Sequence, residues 1–196
     1  MSFDLVKGEA FDLGKENPSL KILALGGAWD VNTNGGDDFD LDIFAIPLKN
    51  GTATTAGKLE DVPGILNHIC YFNNKSIHGM ALDKDNRTGA GDGDDETIRI
   101  ELDKVPAEFT DVILGINIYN GTALNQRFSQ IQNAQVRLYN SETNVEIAVY
   151  KLREDYKRST AVVVGRLYRG NGGLWEFEAL GVGTDGDILA VANQYK

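Results

Sequence analysis

Residues 96–102 read Glu-Thr-Ile-Arg-Ile-Glu-Leu, which places Ile98, Ile100 and Leu102 on one side of an extended chain and Arg99 and Glu101 on the other. Side chains on a strand alternate between faces, whereas a helix would scatter these apolar residues around its circumference. Related runs occupy residues 20–28, 39–48, 68–72, 111–119, 134–139, 145–152, 160–168 and 174–180. They are rich in Val, Ile, Phe and Tyr and are bounded by Gly, Asn and Asp, the composition of strands separated by turns. The chain therefore reads as all-β, an antiparallel sandwich or barrel. Glycine agrees: 22 of 196 residues is about 11%, against the usual ~7%.

Two short helices are predicted. Residues 125–133 put Phe128 and Ile131 three apart, and residues 187–195 gather Ile188, Val191, Ala192 and Tyr195 on one face, with Asp185 or Asp187 as cap. Residues 50–63 read as a surface loop. With no linker, repeat or low-complexity run, residues 1–196 are expected to form a single domain. Met1-Ser2-Phe3-Asp4-Leu5 has neither a basic flank nor a long apolar run, which predicts no signal peptide. No stretch approaches the roughly 20 apolar residues of a spanning helix. The expected setting is cytoplasmic, which the single cysteine also fits.

The formal charge is −10, which argues against a nucleic-acid partner, since such proteins neutralise phosphates with excess positive charge. The excess is concentrated. Residues 29–42 and 83–96 hold 11 acids against two bases, Lys84 and Arg87, and so carry −9; the rest of the chain is at −1. In the first window Asp38, Asp40 and Asp42 alternate with Phe39, Leu41 and Ile43, so a strand would line three carboxylates on one face. They repel one another unless a cation or protons neutralise them. In the second, Gly89, Gly91 and Gly93 allow tight turning among Asp92, Asp94, Asp95 and Glu96, and Asn86 adds an amide oxygen. Ca²⁺, which takes six to eight oxygens at ~2.3–2.6 Å, suits such a donor set. Zinc would want thiolates or imidazoles, and the chain has one Cys and two His.

Asp30-Val31-Asn32-Thr33-Asn34-Gly35 fits the first six positions of an EF-hand loop, but the twelfth is Leu41 and strands are expected on either side. This is half of that motif. Other residues read as structural: Cys70 as a small buried hydrophobe, His68 and His78 as core or surface residues, and Trp29 and Trp175 as core or rim aromatics. Lys151, Arg153, Lys157 and Arg158 read as a solvated turn, with an anionic lipid surface or a partner's acidic patch as the alternative. No nucleophile elbow, zincin motif or phosphate-binding loop is present.

At the two acidic windows the sequence resembles the TerD family of tellurium-resistance and bacterial stress-response proteins. Gly27-Ala28-Trp29-Asp30 followed by Asp38-Phe39-Asp40-Leu41-Asp42 carries the resemblance. So do Tyr71-Phe72-Asn73-Asn74-Lys75-Ser76, Asp85-Asn86-Arg87-Thr88-Gly89 and Gly91-Asp92-Gly93-Asp94-Asp95-Glu96. Leu5-Val6-Lys7-Gly8, Leu13-Gly14-Lys15, the segment 165–169 and the segment 175–179 fit as well. The resemblance implies a β-sandwich that binds two Ca²⁺, with a role in tellurite resistance and wider stress defence. It implies as ligands Asp30, Asp38, Asp40, Asp42 and Asn73, then Asp85, Asn86, Asp92, Asp94, Asp95 and Glu96. Ala90 stands where the family often has an acid, and the loop at 50–64 looks longer than usual. Expected partners are other stress-response proteins, including at the inner membrane surface. Ca²⁺ would order a surface that such partners read. The competing reading is a metal-dependent phosphoester hydrolase using the same carboxylates; turnover of generic phosphoesters with Mg²⁺ or Mn²⁺, lost in Asp40→Ala, would favour it.

Overall fold

The computed structural model describes residues 3–4, 10–17, 19–59 and 64–196. The Leu5-Val6-Lys7-Gly8 motif and the end of the expected loop, residues 60–63, lie outside the described residues. Among the described residues twelve strands run in chain order: β1 (Phe3–Asp4), β2 (Ala10–Asp12), β3 (Ile22–Ala28), β4 (Leu41–Lys49), β5 (Ser76–Ile77), β6 (Met80–Leu82), β7 (Glu96–Glu101), β8 (Phe109–Ile118), β9 (Gln135–Asn140), β10 (Glu146–Lys151), β11 (Ala161–Arg169) and β12 (Trp175–Thr184). The α-helices are short: α1 (Leu13–Glu16), α2 (Leu152–Asp155) and α3 (Ile188–Ala192).

The strands form two sheets, ordered β1-β10-β9-β3-β7-β6-β5 and β2-β12-β11-β8-β4. Pairing is antiparallel except for β1 with β10. The alternation places Leu23, Leu25, Ile98, Ile100, Val136 and Leu138 of the first sheet against Ile43, Leu114, Ile116, Val162, Val164 and Phe177 of the second. This is the expected all-β sandwich. Among the described residues no helix is long and apolar enough to cross a membrane.

The second sheet also buries its outer face. Phe44, Ile46 and Leu48 of β4, Ile113 of β8 and Val163 of β11 pack beneath Ile65, Ile69, Tyr71 and the apolar side of α3. That helix matches the sequence reading: the Asp187 carboxylate accepts the Ala190 N–H at 2.9 Å, and Ile188, Val191 and Ala192 are buried. The segment 125–133 forms only a single 3₁₀ turn at Phe128–Gln130.

β4 is the edge strand of its sheet, and its outward N–H groups are satisfied one at a time. Ile43 donates to Glu96 Oε2 at 3.0 Å, Ala45 to the Cys70 carbonyl at 2.9 Å and Lys49 to the Lys58 carbonyl at 2.9 Å. Between them stands Pro47, which has no N–H to satisfy. The apolar run 68–72, read as a strand, instead follows a 3₁₀ turn at Ile65–His68 and meets β4 through the isolated Ala45–Cys70 bridge. Residues 50–58 are tied down by a buried ion pair beneath them. Arg166 bonds Asp111 and the carbonyls of Thr52 and Thr55, while Gly51 N–H reaches Thr110 Oγ1 at 2.7 Å.

Candidate metal centre

The two acidic windows meet at one end of the sandwich because each leads into a strand there: residues 29–42 into β4, residues 83–96 into β7. Asp95 joins them. Its backbone N–H reaches the Gly27 carbonyl at 2.8 Å, its Oδ2 accepts Trp29 N–H at 2.9 Å, and its Oδ1 accepts the Asn86 side-chain amide at 2.7 Å. The Trp29 indole N–H closes the first window on the Phe39 carbonyl at 2.8 Å. Asn86 Oδ1 in turn accepts the N–H groups of Thr88 and Gly89, both at 3.2 Å, which folds the second window into a compact turn.

Carboxylate oxygens of Asp40, Asp42 and Asp85 converge within 4.8 Å of one another. Asp42 is 2% exposed and Asp40 half-buried, while Asp85 lies at the surface. Asp40 Oδ1 and Asp42 Oδ2 are buried and accept no hydrogen bond. Glu96, fully buried, spans the two windows: Oε2 accepts Ile43 N–H and Oε1 accepts Asn86 N–H at 3.3 Å. Burial, reinforced by Asp40 and Asp85, pushes the Asp42 carboxyl up to about 8. Burial likewise pushes Glu96 up to about 9, against the hydrogen bond from Ile43 and with the charge of Asp42. Asp40 is raised by burial, opposed by Arg87, whose guanidinium lies 3.5 Å from Oδ2 on an exposed side chain. Hard oxygens packed this closely, with two lone-pair-bearing atoms facing no donor, fit a divalent cation of the Ca²⁺ type better than they fit one another.

The remaining predicted residues distribute around this centre. Asp30 is exposed and accepts the Asn133 amide at 2.8 Å. Asp94 forms a two-pronged ion pair with Arg137, 2.8 Å at each oxygen, and Arg137 stacks on Tyr139 at 4.1 Å. That arrangement requires glycine at 26, where a Cβ would lie 2.3 Å from Asp94 Oδ2. Asp30, Asp92, Asp94 and Asp95 border a shallow groove of about 500 Å³. Asn73 is exposed in the turn between Tyr71 and Asn74. Asp38 is exposed and precedes β4, so the expected row of three carboxylates narrows to Asp40 and Asp42. Asn32, within the partial EF-hand motif, spends its side-chain amide on the carbonyls of Gly35 and Asp37. Ala90 is exposed, and its carbonyl accepts the Asn86 amide at 3.2 Å.

Two participants escaped the sequence reading. Gln126 donates to the Asp38 carbonyl at 3.1 Å and so holds the approach to β4, and Arg137 neutralises Asp94. Gln126 sits in an amide-rich turn that distinguishes it by no spacing. Arg137 lies in a strand whose polar face shows only that it points away from the core.

The TerD domain family model matches residues 1–195. The tellurium resistance protein TerD of Alcaligenes sp is 41% identical over 196 residues, covering 100% of this chain and 97% of that protein. General stress protein 16U of Bacillus subtilis (strain 168) is 39% identical over 198 residues, covering 100% and 97%. In fold, the chain resembles the crystal structure of a Streptomyces coelicolor homologue of telluride resistance protein (TerD), with a TM-score of 0.71, covering 89% of this chain and 96% of that one at 24% identity. The chain belongs to the TerD domain family.

Proposed function

We propose that this chain is a cytoplasmic, non-enzymatic Ca²⁺-binding protein of bacterial stress defence, with tellurite among the stresses it answers. One Ca²⁺ occupies the Asp40–Asp42–Asp85 centre, backed by Glu96. A second belongs to the groove bordered by Asp30, Asp92 and Asp95. The observation that carries this reading is the pair of buried oxygens, Asp40 Oδ1 and Asp42 Oδ2, that accept no hydrogen bond where three carboxylates converge. Without a cation, the converging carboxylates of the two joined windows repel one another unless protons relieve them; a cation neutralises them and stiffens the surface that a protein partner reads. The names of the relatives, tellurium resistance and general stress, support the biological setting.

Calorimetry on chelator-treated protein tests the reading. Ca²⁺ is expected to bind with measurable heat and to raise the unfolding temperature; at a free concentration 100 times Kd, a site present only in the folded state adds about 2.7 kcal/mol. Absence of both effects near neutral pH would overturn it. Asp40→Asn with Asp42→Asn should abolish the response of the first centre and halve the binding stoichiometry, while leaving the metal-free fold as stable or more so.

A further inference from the structure

Asn117 lies on β8 directly opposite Asp42 of β4 in the antiparallel register. Residues opposed in this way project from the same face of a sheet, with Cβ atoms roughly 4.5–5.5 Å apart. The neighbours of Asn117, Ile116 and Ile118, enter the core between the sheets, so Asn117 and Asp42 share the opposite side. Each is 2% exposed. Asn117 Oδ1 and Asp42 Oδ2 are both buried without a hydrogen-bond partner, and so is Asp40 Oδ1, just before β4.

As placed, these oxygens cannot satisfy one another, since each is an acceptor; only with its amide turned over would Asn117 donate to Asp42. A buried acceptor left alone is unfavourable, and two at facing positions of the sheet with a third just before β4 call for a shared partner that is positive or donates more than one hydrogen. We propose that Asn117 supplies a neutral amide oxygen to the cation held by Asp40 and Asp42, and that it selects for Ca²⁺ over Mg²⁺. This rests on the Ca²⁺ reading above. The selectivity follows from coordination number. Ca²⁺ accepts six to eight oxygens from a flexible cage and uses amide carbonyls readily, whereas Mg²⁺ keeps several waters and gains little from an additional protein oxygen. The rival occupant is a trapped water donating to both residues, which would leave Asn117 without effect on the ion.

The Asn117→Leu variant separates these cases, because it removes the oxygen while keeping the volume close. In chelator its unfolding temperature is expected to equal or exceed that of the parent, since an unpaired buried acceptor is gone. Its Ca²⁺ affinity by calorimetry should fall by about tenfold or more, its Mg²⁺ affinity by less, so the Ca²⁺/Mg²⁺ preference narrows. With Tb³⁺ as probe, luminescence lifetimes in H₂O and D₂O should report an additional bound water. Asn117→Ser, whose shorter side chain also withdraws the oxygen, gives the same readouts if the leucine variant does not fold. Unchanged Ca²⁺ affinity and unchanged Tb³⁺ hydration in either variant, with the parent binding normally, would overturn the assignment and leave the Asp40–Asp42 centre standing. A parent chain that takes up no Ca²⁺ would overturn both.

Discussion

Glu96 on β7 accepts the backbone N–H of Ile43 on β4 at 3.0 Å, a bond from one sheet of the sandwich to the edge of the other. The same carboxylate accepts Asn86 N–H through its second oxygen. A residue that resembles a metal ligand in sequence is therefore also the fastening between the two sheets and the second acidic window. Glu96→Ala would leave both N–H groups without this acceptor, and an unsatisfied buried donor costs about 1–3 kcal/mol. Urea unfolding in chelator should show a loss of about 2–4 kcal/mol. Glu96→Gln retains one acceptor oxygen, so it should lose clearly less. Equal losses in the two variants would show that a single retained acceptor does not fasten the two sheets in the metal-free fold.

Asp42 and Glu96 set a pH dependence of unusual sign for carboxylates. Their folded values, about 8 and about 9, lie above the unfolded values of 3.8 and 4.5. Between these limits the folded metal-free chain binds protons that the unfolded chain has lost, so stability falls as pH rises. These two groups contribute their full stabilisation below about pH 4, and it is progressively lost up to about pH 9. Unfolding measured in chelator should therefore weaken from pH 5 to pH 8.5. A cation at the site demands ionised carboxylates, so saturating Ca²⁺ should flatten or reverse the slope, and its binding near neutral pH should release about one to two protons. Calorimetry in buffers of different ionisation heat measures that release directly.

The long strands were legible because a period of two survives in any run long enough to show it; β3, β4, β7, β8 and β11 all lie where the alternation placed them. β5 and β6 have two and three residues, too few to express a period. The run 68–72 misled because its apolar residues serve the cover over β4, where a single bridge to Ala45 is all the edge has room for. At the site, Asp40 and Asp42 were readable as a same-face pair because β4 starts at Leu41 and the extended chain carries through them. Asp38 escapes that row because Gln126 holds its carbonyl from across the molecule. Arg137 and Asn117 reach the acidic end from strands distant in sequence, and local spacing encodes nothing of such partners.

The ion pair of Asp111 with Arg166 is the deepest in the described part of the molecule, 0% and 2% exposed at the side chains. Arg166 also binds the carbonyls of Thr52 and Thr55 and approaches Glu178 at 3.5 Å, so the loop at 50–58 folds down over a charge that would otherwise face a void. Breaking a buried pair by removing one member costs about 3–5 kcal/mol, because the other charge is left uncompensated. Asp111→Ala is expected to lose about that much in urea unfolding and to expose residues 50–58 to proteolysis before the rest of the chain. Asp111→Leu with Arg166→Met, which removes both charges, should recover much of the global stability but leave the loop susceptible. Protection of the loop in the double variant would show that Arg166 does not hold it.

Cys70 bears on whether tellurium chemistry takes place on this chain itself. The thiolate is the reactive form of cysteine. Here the side chain is fully buried, its backbone is paired with Ala45, and burial pushes the thiol up to about 12. At neutral pH a thiol in that state offers almost no thiolate and no path to solvent. A thiol reagent such as DTNB should therefore leave native protein unmodified over hours and react with one equivalent once denaturant is added. Tellurite incubated with the native chain should likewise leave the thiol titre unchanged, and under the proposed role in tellurite defence Cys70→Ala should protect cells as well as the parent does. Loss of thiol titre when the native chain meets tellurite, or loss of protection in Cys70→Ala with stability and Ca²⁺ binding intact, would place tellurium chemistry on this residue.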